Sequence, residues 1–195
     1  ADYTKTGMRK LMYILLFGLL TSCSETPAPK PRGFFRIDMP EKKYTLFTDT
    51  SCPYRFETPD YSYVLPDTNR FSEPCWKYIL YPKFGAQLYL TYKPIRNNLA
   101  QMAEDSRGFA YKHTIKANGI DETVINTQNH VYGVVYDIGG NAASNMQFYV
   151  TDSFQHFLRG SLYFNTIPNS DSLQPSLEFI RKDVLHLINT LQWSN

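Results

Sequence analysis

The sequence predicts an α+β domain in which an antiparallel β-sheet carries helices packed against it. Three observations lead there. Short runs that alternate apolar and polar residues, bounded by turn residues, fill most of the chain. Two stretches instead repeat their apolar residues at helical spacing. The order of these segments is strands, helix, antiparallel meander, helix, which is the order of an α+β fold.

Taken along the chain, Phe34–Ile37 and Tyr44–Phe47 read as opening strands, followed by Tyr54–Glu57 and Tyr61–Val64. Trp76–Tyr81 and Ala86–Tyr92 read as a hairpin, with Pro82-Lys83-Phe84-Gly85 as its turn. From Asn97 to Lys116 the period changes. Leu99, Met102, Ala103, Phe109, Ala110 and His113 make one helical stripe that Asn97 or Asn98 is placed to cap, with Gly108 weakening the middle. Gly119–Asn126, His130–Ile138, Asn145–Val150 and Phe154–Phe164 form the meander, with Gly139-Gly140-Asn141 as a tight turn. In the last strand His156, Leu158, Gly160, Leu162 and Phe164 face one way, and Phe157, Arg159, Ser161 and Tyr163 the other. A closing helix spans Leu173–Leu191, with Leu177, Ile180, Val184, Leu187, Ile188 and Leu191 as its apolar face and Pro175 expected in its first turn. The result resembles a layered sandwich of the PsbP/Mog1 type.

Composition fits this picture. The 195 residues are 43% hydrophobic and 15% aromatic, enough to bury a core and too apolar for a disordered chain. The formal net charge is +2, and that surplus sits in residues 1–22, where Lys5, Arg9 and Lys10 outnumber Asp2. The remainder is neutral, which argues against a nucleic-acid partner.

The N-terminus reads as an address. Met8-Arg9-Lys10 precedes the apolar run Leu11–Leu20 and then Thr21-Ser22-Cys23, the layout of a secretory signal. The run is about half the roughly 20 residues that span a bilayer. Leu20-Thr21-Ser22-Cys23 resembles a bacterial lipobox, in which small residues admit the peptidase and the Cys23 thiol takes a diacylglycerol. We therefore expect residues 1–22 to be a signal peptide, with 1–7 as an extension before the natural-looking Met8. Residues 23–32 then form a lipidated, Pro-rich tether, and residues 33–195 a single globular domain. The alternating prolines of the tether favour extended polyproline II at about 3.1 Å per residue. Ser24 after the cysteine, with no Asp there, matches sorting to the outer membrane rather than retention at the inner one.

Cys52 and Cys75 remain, and in an exported chain two leftover cysteines are expected to pair as a disulfide. Closing that loop stabilises a fold by about 3–4 kcal/mol on the chain-entropy model. No CxxC, HExxH, GxSxG, GxGxxG or Walker-type loop is present. The histidines, His113, His130, His156 and His186, fall on separate expected elements, and His113 and His156 lack acidic partners at metal-ligand spacing. Asp152-Ser153 with His156 has the residue types of a hydrolase triad, but such groups must converge in space, and a turn followed by a half-buried strand histidine explains the same residues. Glu104-Asp105-Ser106-Arg107 reads as a solvated helix face, with a partner contact as the alternative. Tyr78, Tyr81, Tyr89, Tyr92, Tyr132, Tyr136, Tyr149 and Tyr163 lie in strands; those left exposed favour a binding module over an enzyme. Gly139–Ser144 is too short and uncharged for a phosphate cradle. No catalytic residue, metal or cofactor is expected.

Several stretches together resemble the GldD family of gliding-motility lipoproteins. They are Lys30–Asp38, Cys52-Pro53-Tyr54, Pro74-Cys75-Trp76, Tyr111–Lys116, Gly139–Ser144, and Thr151-Asp152-Ser153 leading into His156–Gly160. The resemblance runs from Lys30 to Trp193. It implies a non-enzymatic, outer-membrane-anchored lipoprotein needed for gliding and for the linked type IX protein-secretion machinery, with other Gld-type lipoproteins and secretion components as partners. An envelope ligand-binding module for glycan or peptidoglycan, using exposed tyrosines and Trp76, is the alternative. Asp171-Ser172-Leu173 resembles an acceptor for O-glycosylation in some gliding bacteria, which makes Ser172 a candidate modification site.

Overall fold

The computed structural model describes residues 38–112, 117–165 and 170–194. The signal, Cys23, the tether, the strand expected at Phe34–Ile37, and His113 with the end of the first expected helix lie outside these residues.

The fold is α+β and antiparallel, and its strands divide between two sheets. β1 (Tyr44–Thr48), β2 (Tyr54–Pro59) and β10 (Gln192–Trp193) form a small sheet in the order β1-β2-β10. The large one has seven strands in the order β3-β4-β5-β9-β8-β7-β6. These are β3 (Tyr63–Pro66), β4 (Lys77–Tyr81), β5 (Ala86–Pro94), β6 (Ala117–Asn126), β7 (Tyr132–Gly140), β8 (Ser144–Thr151) and β9 (His156–Phe164). The α-helices among the described residues are α1 (Leu99–Tyr111) and α2 (Ser170–Thr190). α2 begins earlier than expected, so Pro175 lies inside it rather than in its first turn.

Strand alternation sorts the large sheet into two faces. One face sends Leu88 and Leu90 of β5, Val135 of β7, Phe148 and Val150 of β8, and Leu158 and Leu162 of β9 into the main core. The small sheet adds Tyr54 and Phe56, and α2 adds Ile180, Val184, Leu187, Ile188 and Leu191, spaced at three and four residues to make one stripe. Gly160 is required on this face, because a Cβ there would sit 2.1 Å from the ring of Phe148. The opposite face carries a second, smaller cluster in which Ala110 of α1 packs with Tyr136, Ile138 and Ala142. α1 thus covers the β6–β8 part of that face.

Asp183 joins α2 to the small sheet from inside. Its side chain is fully buried, and it accepts hydrogen bonds from Lys42 Nζ, Tyr44 Oη at 2.9 Å and Tyr61 Oη at 2.7 Å. Lys42 also donates to the Phe179 carbonyl at 3.0 Å and lies over that ring. A buried carboxylate is tolerable only with such partners. Burial, then the bonds to Asp183, hold both tyrosine hydroxyls well above their ordinary pKa.

The segments ahead of β2 and β4 are also fastened together. Cys52 and Cys75 form a disulfide, with Cα atoms 5.3 Å apart. Tyr54 Oη donates to the Cys75 carbonyl at 2.5 Å, and Lys77 Nζ to Asp49 at 2.6 Å.

Replacing Asp183 by Ala removes the counter-charge of the Lys42 ammonium and the acceptor shared by two tyrosine hydroxyls. Urea denaturation is expected to show a loss of about 3 kcal/mol or more; a loss within the range of a surface substitution would contradict the role given to this carboxylate.

Candidate functional site

The face of the large sheet opposite the main core is left open over β4, β5 and β9. On its floor Tyr78 opposes Tyr89 and Tyr89 opposes Ser161 across neighbouring strands. The Tyr89 and Tyr163 rings meet edge to face at 5.8 Å. A groove of about 570 Å³ lies here, lined by Gln87, Tyr89, Thr91, Arg159, Ser161 and Tyr163 among others. A second hollow of about 670 Å³ shares Thr91 and Arg159 and continues between the sheet and α1, past Trp76, Lys93 and Phe109.

Arg159 stands where the two meet. One guanidinium nitrogen donates to Gln147 Oε1 at 2.7 Å, and the Phe109 ring covers it at 4.6 Å. No carboxylate among the described residues pairs with it. Burial therefore pulls its pKa below the usual arginine value, the direction expected of a cation taken out of water without a counter-charge. Beside it two more polar atoms are buried without a partner among the described residues, Gln147 Nε2 and Ser161 Oγ. The residues that bear them are 1% and 4% exposed.

The sequence had drawn attention elsewhere. His156 is buried, accepts or donates through Nδ1 to Tyr92 Oη at 2.9 Å, and stacks on Trp193 at 5.2 Å. Burial lowers its pKa, with the Asp152 charge opposing. Asp152 does not orient that ring. Its Oδ1 accepts from the backbone N–H groups of Phe154, Gln155 and His156, each at 2.9 Å, and so closes the β8–β9 turn. Ser153 occupies the left-handed region of that turn at φ 73°, and no hydrogen bond joins it to the His156 ring among the described residues. The three residues form a turn with a core histidine behind it. His186 bonds Glu57 at 2.6 Å and stacks on Tyr44, while His130 sits exposed in a loop.

Other candidates fall as follows. Gly139–Ser144 closes the β7–β8 hairpin, where Asn145 Nδ2 bonds the carbonyls of Ile138 and Gly140. Glu104 and Arg107 face solvent, with Glu122 3.6 Å from Arg107. Trp76 is half-buried, its ring N–H donating to the Tyr92 carbonyl. Tyr81 and Tyr136 are buried, so the tyrosines that line the open groove are Tyr89 and Tyr163. Ser172 is exposed in the first turn of α2. Among the described residues no three metal-ligating side chains cluster, and no helix is long and apolar enough to cross a membrane. Arg159, Gln147 and Ser161 were not singled out from the sequence. The available signal was one arginine in a strand face otherwise made of Phe157, Ser161 and Tyr163.

The family described as gliding motility lipoprotein GldD matches residues 24–193, nearly the whole chain. The chain belongs to the GldD family. It is therefore an envelope lipoprotein associated with gliding motility. No curated protein matches it. Among solved structures it is similar to cyanobacterial PsbP from Synechocystis sp. PCC 6803, at 10% identity and a TM-score of 0.46, over 88% of this chain and 99% of that one.

The Asp152 turn carries a pH dependence. Burial alone would raise this carboxyl, but the three backbone N–H bonds outweigh it and hold its pKa below the ordinary value. A carboxylate lowered on folding stabilises above its unfolded pKa of about 3.9 and loses that contribution as pH falls through the folded value. The melting temperature of this GldD-family chain should drop on acidification below about pH 4. Asp152→Asn should melt lower at neutral pH and show a shallower acid limb; parallel curves would refute the assignment.

Proposed function

We propose that this lipoprotein is a non-catalytic component of the gliding apparatus and the linked type IX secretion machinery. In this reading it is anchored in the outer membrane through acylated Cys23 and serves assembly or stability by docking to other Gld-type lipoproteins and secretion components. The observation that carries the reading is the family match over residues 24–193. The roles found for the candidate catalytic groups support it, since Asp152 holds a turn and His156 packs in the core. Two or more acyl chains on Cys23 give stable anchoring, each buried CH₂ contributing about 0.8 kcal/mol. Ser172, exposed at the start of α2, is the proposed O-glycosylation acceptor.

A second reading is the envelope ligand-binding module, favoured by the unpaired Arg159 in an open, tyrosine-lined groove.

Cys23→Ala is expected to move the chain from the membrane fraction to the soluble envelope fraction and to abolish gliding and type IX secretion together. Normal gliding and secretion after deletion of the whole chain would refute the assembly role. Mildly solubilised envelopes should yield the tagged protein with motility or secretion components, identified by mass spectrometry.

A further inference from the structure

The groove over β5 and β9 is built differently from the rest of the surface. Arg159 is the one charged side chain in its first hollow, and it is ringed by Gln87, Tyr89, Thr91, Ser161 and Tyr163. Every other described cation with a burial comparable to that of Arg159 has an acidic partner: Lys42 has Asp183, Lys77 has Asp49 and Arg181 has Asp137. Arg159 has Gln147 and the Phe109 ring instead. A planar guanidinium held by an amide and an aromatic face keeps its remaining N–H donors for an incoming oxyanion. Ser161 Oγ and Gln147 Nε2, both without a hydrogen-bond partner among the described residues, belong to residues that lie opposite each other across β8 and β9.

We propose that this groove binds a carboxylate-bearing saccharide of the uronic acid type, its carboxylate on Arg159 and its ring against Tyr89 and Tyr163. The proposal deepens the ligand-binding reading and does not depend on the assembly role. A single cation suits a ligand with one negative charge per ring rather than a polyphosphate. β5 and β9 are interior strands paired on both sides, so their backbone groups are occupied and offer nothing to an extended peptide. What the floor offers is side-chain hydroxyls and amides for ligand hydroxyls, and aromatic surface for the C–H face of a sugar ring. The volume of about 570 Å³ lies within the range of small-ligand sites.

The test is saturation-transfer NMR on the full lipidated chain in detergent micelles, with glucuronate, methyl glucoside and acetate as probes. Glucuronate should give a saturable signal, methyl glucoside and acetate much weaker ones. Arg159→Gln should raise the glucuronate dissociation constant at least roughly tenfold. Tyr163→Ala, at a half-buried ring, should weaken it too, and carries the test if Arg159→Gln does not fold. No saturable glucuronate signal, glucuronate binding unchanged in the folded variants, or acetate binding as well as glucuronate would each overturn the proposal. Failure here with gliding still lost in Cys23→Ala would remove the site and leave the assembly role standing.

Discussion

The buried carboxylate of Asp183 is the constraint from which the rest of the arrangement follows. A charge with no solvent contact must be surrounded by donors, and its donors come from the segment before β1, from β1 itself and from the loop after β2. Those contacts fix α2 against the small sheet. With α2 and β2 fixed together, their apolar side chains cover one face of the seven-stranded sheet. The opposite face is then left to α1, which is shorter and packs chiefly on the β6–β8 side. The groove is the part of that face beyond α1, which reaches its edge only through Phe109 over Arg159.

A buried carboxylate and a half-buried cation therefore stand apart in the molecule, and they differ in kind. Asp183 is saturated by a lysine and two hydroxyls, as expected of a group whose task is to hold elements in register. Arg159 has one amide, one ring and an open side. Desolvating a cation without an opposite charge opposes folding, so this position stands out against the other half-buried cations among the described residues, which are paired.

Much of the architecture was legible because strands such as β2 and β5 bury alternate residues. The inward set Leu158, Gly160 and Leu162 and the outward set Arg159 and Tyr163 follow from alternation alone, and the α2 stripe follows from helical spacing. Pairing order was not legible. β9 lies between β5 and β8, and β10 joins β2 from the far end of the chain, and no local pattern encodes such contacts. Phe109 belonged to the expected core stripe of α1, yet it is 43% exposed and lies over Arg159. Spacing gives the angle of a side chain around a helix but not what stands opposite. The same limit hid the groove: alternation put Arg159 on the outer face, while its burial and lack of a counter-charge arise only when α1 settles beside it.

The Cys52–Cys75 bond joins the turn ahead of β2 to the turn ahead of β4, and so links the two sheets. Thiols stay reduced in the cytoplasm and oxidise beyond it. A polypeptide destined for the envelope is threaded through the membrane while this clasp is open, without the roughly 3–4 kcal/mol that closing such a loop contributes. Once across, the clasp closes and that contribution is added. The bond thus leaves a chain that is easier to unravel where thiols stay reduced and harder to unravel where they oxidise.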